Sequence, residues 1–270
     1  MGNMITVTSK DNEIIKLIGK LNSAKKFRRE FGLFVVEGLR ICEDAIKENA
    51  GIYCGLVSES ACERYPEIFS SLTKRAERFC VISDELSAYI SDTASPQGVF
   101  AVCRTDTVGS KLSLEEIDSM GSYAVLVGLQ DTGNLGTILR TADALGIDGI
   151  ITVGCCDLYN PKTVRSTMGS LFRVNVYDAS IDETLGILKD KNIETFASVI
   201  DSTAESITGC GMGKDRGCAV LIGNEGNGLD KDVSSRCDRT VTIKMHGNVN
   251  SLNAASAASI LLWELVRGRG

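Results

Sequence analysis

Three turns along this chain combine glycines with amide, carboxylate and guanidinium side chains, and each follows an apolar run. The first, GLQDTGNLGTILRTADALG (128–146), carries Asn134 and Arg140. The second, LIGNEGNGL (221–229), places Glu225 among Gly223, Gly226 and Gly228. The third, IKMHGNVNSLNAASAASILLWE (243–264), holds His246, Ser251 and Asn253. Glycine lets the backbone approach a ligand closely. Loops at the carboxyl ends of parallel strands are where α/β proteins bind their ligands.

Phosphate chemistry fits these turns poorly. The second turn does not match G-x-G-x-x-G and ends in Leu-Asp rather than opening a clear helix. Gly213-Lys214 is followed by Asp215, and Thr208 stands where a Walker sequence needs its first glycine. Zinc chemistry fits no better. There is no C-x-x-C, Cys155 and Cys156 are adjacent, and His246 is the sole histidine. From spacing alone, several of the residues also have plain structural readings. Arg140 could be a surface arginine in an ion pair, Glu225 an exposed turn carboxylate, and Ser251 and Asn253 helix N-caps. Ile243 and Leu252 read as core.

The elements that must position these turns alternate. Residues 10–22 have the apolar period of a helix, a basic cluster follows (Lys25, Lys26, Arg28, Arg29), and then come GLFVVEG as strand and LRICEDAIKE as helix. IYCGLVS, a helix around 64–78, FCVIS, DELSAYISD and GVFAVCR continue the alternation to a small α/β domain over 1–105. Residues 106–120 read as a linker. From 121 to 270, SYAVLVGL, GIITVG, RVNVYD, ETFASVI, CAVLIG and RTVTIKM read as strands between helices, which predicts a parallel sheet covered on both faces.

The three ordered motifs resemble those of the SpoU (TrmH-type) RNA ribose methyltransferases of the SPOUT class. The N-terminal half resembles that family's substrate-binding domain through FGLFVVEGLRICEDAI and SDTASPQGVFAV. The resemblance covers nearly the whole chain. It departs at Lys244, where the family has proline, and at Ala254 and Ala255, where bulkier or hydroxyl residues are common.

The resemblance implies an α/β fold: a small N-terminal RNA-binding domain joined to a parallel-sheet domain with a deep trefoil knot. It also implies a homodimer formed through the catalytic domain. It implies S-adenosylmethionine as cofactor, held at Gly223, Ile243, Leu252 and Ser251, and a catalytic set of Asn134, Arg140, Glu225 and Asn253. Arg140 would contact the phosphate beside the target ribose and help activate the 2′-hydroxyl. A guanidinium stays protonated, so stabilising a developing alkoxide suits it better than acting as a base. Glu225 would hold Arg140 or neighbouring loop amides. The family does not generally need a histidine at position 246, which leaves His246 a loop-packing role. Lys25, Lys26, Arg28, Arg29 and Arg40 are the candidate RNA contacts; a solvated basic helix end is the plain alternative.

The bulk numbers agree with a globular enzyme. Hydrophobic residues make up 43% and charged residues 24%. The net charge of −6 falls entirely in residues 106–270, while residues 1–105 balance to zero. Neither a secretory signal nor a membrane span is read, and Gly2 with Thr6 matches a myristoylation pattern too short to carry weight. The cysteines then read as reduced thiols of a cytoplasmic protein. The expected activity is 2′-O-methylation of ribosomal RNA. A transfer-RNA methyltransferase of the same class and a non-catalytic RNA-binding assembly factor are the alternatives.

Overall fold

The computed structural model describes residues 4–109, 113–213 and 216–267. Gly2, the Lys214-Asp215 pair and linker residues 110–112 lie outside them. The chain forms two compact units. One runs to Gly109 and also takes Asp157–Arg173; the other comprises Ser110–Cys156 and Val174 onward.

The first unit is built from β1 (Met4–Val7), α1 (Glu13–Ser23), α2 (Lys25–Phe31), β2 (Leu33–Glu37), α3 (Leu39–Lys47), β3 (Ile52–Ser58), α4 (Glu59–Arg64), α5 (Pro66–Arg75), β4 (Arg78–Ile82), α6 (Asp84–Ile90) and β5 (Val99–Arg104). Its sheet has the order β1-β4-β3-β5-β2. The β1-β4 and β4-β3 pairs are parallel; β3-β5 and β5-β2 are antiparallel. Ile15, Ile18 and Leu21 of α1 bury the stripe seen in the sequence against Leu33, Leu56, Phe100 and Val102. The helix expected around 64–78 is α5, and a further short helix, α4, precedes it. Pro66 lacks an amide hydrogen and so opens α5 after Tyr65.

The second unit follows with β6 (Ser122–Val127), α7 (Thr132–Leu145) and β7 (Gly149–Val153). The chain then supplies α8 (Pro161–Ser166) to the first unit before returning. The remaining elements are β8 (Val176–Asp178), α9 (Ile181–Asp190), β9 (Glu194–Ser198), β10 (Glu205–Ser206), β11 (Cys218–Ile222), α10 (Lys231–Ser235), β12 (Arg239–Thr242) and α11 (Ala254–Arg267). The sheet order is β10-β12-β9-β11-β6-β7-β8 and every pair is parallel. Leu185, Leu188 and Val233 pack on one face with Tyr123, Val125 and Leu221. The other face is covered by α7 and α11, which bury Leu135, Ile138 and Leu139, and Ala258, Leu261 and Leu262. Such two-sided cover is why these strands read as continuous apolar runs.

Two expectations shift. Leu114 and Ile117, within the linker, are buried in the core of the second unit. Residues 157–173 lie inside the sequence-drawn catalytic domain but pack in the first unit.

Candidate active site

All three turns leave the carboxyl ends of strands in one sheet: Gly128 follows β6, Gly223 follows β11 and Ile243 follows β12. In the first turn Asp131 caps α7 by accepting the Asn134 amide at 2.7 Å. That cap fixes the first turn of α7 and so the place of the buried Asn134 side chain.

The second turn is a tight loop closed by Asn224 and Gly228. Their backbones exchange hydrogen bonds, and the Asn224 side chain accepts from the amides of Gly226 and Asn227. Gly223 is compulsory here, since a Cβ would lie 2.0 Å from the Gly228 carbonyl carbon. Glu225 is held at the tip, exposed on one side. Its carboxylate accepts from three donors: the Gln130 amide at 3.2 Å, the Asp131 amide at 3.1 Å and Asn134 Nδ2 at 3.0 Å.

The third turn joins the same network. Asn253 Nδ2 donates to Asn134 Oδ1 at 3.0 Å, and Asn253 Oδ1 accepts from the amides of Ala255 and Ser256 at the start of α11. An ionised carboxylate can only accept. Glu225 therefore fixes which way the Asn134 amide faces, and the α11 amides fix Asn253 in the matching sense. The two amides are oriented from both ends across all three turns.

Burial of Glu225 alone would raise its pKa. The hydrogen bonds from Asn134 and from the Glu225, Asp131 and Gln130 amides outweigh burial and hold it below the ordinary value of 4.5. The group stays ionised near neutrality and serves as an anchor rather than a proton shuttle.

Arg140 stands apart from this network. It is exposed, six residues along α7 from Asn134, on a cavity wall formed with Thr137, Thr141, Ala144, Ser259 and Trp263. It has no hydrogen bond or ion pair among the described residues, so Glu225 holds loop amides rather than Arg140. The surface ion pair considered for Arg140 is not formed. His246 is exposed, which takes away the loop-packing role. Asn253 acts as the N-cap of α11; Ser251, also exposed, does not. Lys244 follows the last residue of β12, Thr242, so its place in the family motif costs the strand nothing.

The remaining positions suit a nucleoside cofactor. Gly223 is buried against Gly228 of its own loop, while Ile243 and Leu252 are half-buried apolar residues. Backbone groups beside apolar walls are what an adenosine needs. Among the described residues no His, Cys, Asp and Glu cluster could hold a metal ion. All ten cysteines are free. No described helix is long and apolar enough to cross a membrane.

In the first unit, the basic cluster divides. Lys26 and Arg29 are exposed and Lys25 is half-buried. Arg28 is only 4% exposed and is a correction to the RNA-contact set. Its Nη2 pairs with Asp157 Oδ2 at 2.6 Å, its Nε reaches the same oxygen at 2.7 Å, and its Nη1 donates to the Leu21 carbonyl. The period of the short helix α2 turns one basic side chain inward while Lys26 and Arg29 stay wet. Arg40, at the start of α3, is exposed.

The sequence did not single out Gln130 and Asp131, whose amides tie Glu225; the Asp-Thr-Gly cap was the available signal. Nor did it single out the 157–173 segment, where Asn160 followed by Pro161 marks a helix start.

Comparison with known proteins agrees with this geometry. Residues 121–263 match the SpoU rRNA Methylase family model, and residues 12–101 match an MRM3-like substrate binding domain. The chain is 29% identical to the 23S rRNA (guanosine(2553)-2′-O)-methyltransferase RlmP of Bacillus subtilis, over 97% of this chain and 99% of that protein. It is 30% identical to an uncharacterized tRNA/rRNA methyltransferase of Synechocystis, over 98% of this chain and 94% of that one. The crystal structure of an AdoMet-bound rRNA methyltransferase from Sinorhizobium meliloti superposes with a TM-score of 0.86 at 29% identity, covering 98% of both chains. The chain belongs to the SpoU rRNA methylase family.

Proposed function

We propose that this RNA methyltransferase moves a methyl group from S-adenosylmethionine to a ribose 2′-hydroxyl of ribosomal RNA. The observation that carries this reading is the Glu225–Asn134–Asn253 chain, which ties the three family motifs into one rigid constellation. Relatives with named ribosomal RNA activity support the substrate class. When bound, the sulfonium supplies an activated methyl group. The protein's task is then to align that carbon with the sugar oxygen and to stabilise charge as it develops.

Residues 1–105 receive the RNA in this reading, and residues 121–270 carry the transfer. Gly223, Ile243, Leu252 and Ser251 hold the cofactor, largely through backbone groups. Arg140, with no partner among the described residues, is available to a phosphate or the developing alkoxide. Lys25, Lys26, Arg29 and Arg40 contact RNA phosphates; Arg28 does not.

A homodimer belongs to the proposal. Trp263 is 55% exposed and Ile260 39%, on the α11 face beside Arg140. An apolar patch of that kind around a tryptophan suits burial by a second copy. The trefoil knot also belongs to it. A Cβ on Gly213 would lie 1.9 Å from the Leu265 carbonyl oxygen, so the loop before β11 lies directly on α11, and this close approach supports that reading. A cytoplasmic location also belongs to the proposal.

The test is transfer of labelled methyl to RNA from a strain lacking the gene, followed by mapping of the modified nucleotide. Ribose methylation of ribosomal RNA is expected. Label only in transfer RNA would reassign the substrate. Failure to bind S-adenosylmethionine in calorimetry would favour a non-catalytic assembly factor.

A further inference from the structure

The first unit contains a solvent-open cleft of about 130 Å³, lined by Glu37, Gly38, Arg40, Ile41, Gln97, Arg165 and Met168. Part of its wall is the 157–173 segment, whose two ends run into β7 and β8.

Met168 is held there under strain. It has φ +50°, a left-handed conformation that a long side chain rarely adopts. Its neighbours leave it little choice. Thr167 is fully buried and donates to the Val164 carbonyl at 2.6 Å. Gly169 lies so close to Asp44 that a Cβ would fall 1.9 Å from Oδ2, and Asp44 pairs with Arg173 at 3.3 Å. A strained residue fixed by its surroundings, with its side chain 41% exposed in a cleft, is a candidate for function rather than packing.

The polar groups of the cleft have assigned and unassigned valences. Glu37 is saturated by Ser91, Thr93 and the Asp92 amide. Arg165 is oriented by Asp92 at 2.8 Å but stays partly exposed. Gln97 Oε1 accepts the Leu39 amide at 2.9 Å, which leaves its NH2 to donate elsewhere. Arg40 has no partner among the described residues. A smaller adjoining cavity shares Glu37, Ile41 and Arg165 and is lined by Asn22, whose buried Oδ1 accepts no hydrogen bond.

We propose that this cleft binds one unstacked nucleotide of the substrate RNA, other than the nucleotide that is methylated. The base rests on the Ile41–Met168 wall and takes a hydrogen bond from Gln97, while Arg40 and Arg165 meet its phosphate or ring face. Sequence-specific RNA recognition works in this way, on splayed bases held by planar or apolar side chains and read along their edges. Arg165 is already paired with Asp92, so Arg40 carries the one unpaired positive charge of the cleft among the described residues; beside the Ile41–Met168 wall it suits one nucleotide, a single phosphate next to an apolar base face, better than an acidic peptide. The inference rests on the reading of the chain as an RNA methyltransferase.

The experiment uses the full chain, protein-free ribosomal RNA from a strain lacking the gene, and the variants Met168→Gly and Arg40→Glu. Glycine relieves the positive φ, so Met168→Gly should keep or raise Tm while it raises KM for RNA about tenfold. Arg40→Glu should raise KM for RNA at least as much, with a lower salt dependence of binding. Affinity for S-adenosylmethionine should be unchanged in both. Wild-type KM for RNA in both variants would overturn the cleft while leaving the methyltransferase reading intact. A wild-type chain that transfers no methyl to any RNA would overturn both.

Discussion

Replacing Asn134 by aspartate tests the directional amide chain. The wild-type amide places a donor 3.0 Å from the Glu225 carboxylate. The substitution puts a second negative charge there. Two unit charges at that separation repel by about 1.4 kcal/mol in water and about 5.5 kcal/mol at an effective dielectric of about 20. Asn134 is buried but Glu225 is exposed. The lower part of that range therefore applies, about 1.5–3 kcal/mol. The protein can escape by letting the two carboxyls share a proton, which raises the folded-state pKa of the pair above its unfolded value. The sign follows. Stability is intact below the unfolded pKa and is lost as pH rises through the raised folded one. Urea melts of wild type, Asn134→Ala, Asn134→Asp and Asn134→Asp/Glu225→Gln, at about pH 5 and about pH 8, measure this. Asn134→Asp should fall below Asn134→Ala at the higher pH, approach it at the lower, and be restored in the double variant. If Asn134→Asp melts with Asn134→Ala at both pH values, Glu225 does not hold the residue at 134 and the reasoning fails.

Arg140→Ala should lower kcat by about 10²–10³-fold while leaving the fold and S-adenosylmethionine affinity intact, checked by single-turnover methylation and calorimetry. If α11 forms the proposed dimer face, the wild-type chain should run as a dimer in light scattering and Trp263→Glu as a monomer. Arg28→Ala should cost about 3 kcal/mol in urea unfolding, because it strands the partly buried Asp157, whereas Lys26→Glu with Arg29→Glu should leave stability alone and weaken RNA binding. Glu225, with its lowered pKa, should keep the site organised at neutral pH. Its contribution to stability should vanish only as acid takes the pH down through that lowered value, below 4.5, as seen in melts of wild type against Glu225→Gln.

The parallel sheet was legible because its strands are buried on both faces and so appear as unbroken apolar runs, SYAVLVGL and CAVLIG among them. Family motifs placed Asn134, Glu225 and Asn253 on the page, and the structure joins them. What could not be read is direction and burial. Nothing in the spelling of residues 25–29 says that Arg28 alone turns inward, since its partner, Asp157, is 129 residues away. Likewise α8 follows β7 in sequence but packs in the other unit, and local pattern carries no record of such a return. The strained φ of Met168 is set by Thr167, Gly169 and Asp44 together, so no single residue type announces it.

The chemistry explains why the site is amide-rich and nearly free of acid–base groups. A donor that carries its own leaving group needs little proton transfer in the bond-making step; its rate depends on how well carbon and oxygen are aligned. Alignment is a demand on rigidity, and rigidity in a wet loop needs hydrogen bonds whose polarity has a single solution. An amide between two amides could flip, but an amide beside a carboxylate cannot, because the carboxylate offers only lone pairs. With the Glu225 carboxylate at one end and the backbone amides of α11 at the other, the Asn134–Asn253 chain has a single polarity. A glutamine at 225 would keep the shape but set its NH2 against one of the backbone amides that the carboxylate accepts from, loosening that end of the chain, so Glu225→Gln should lower kcat more than it lowers Tm.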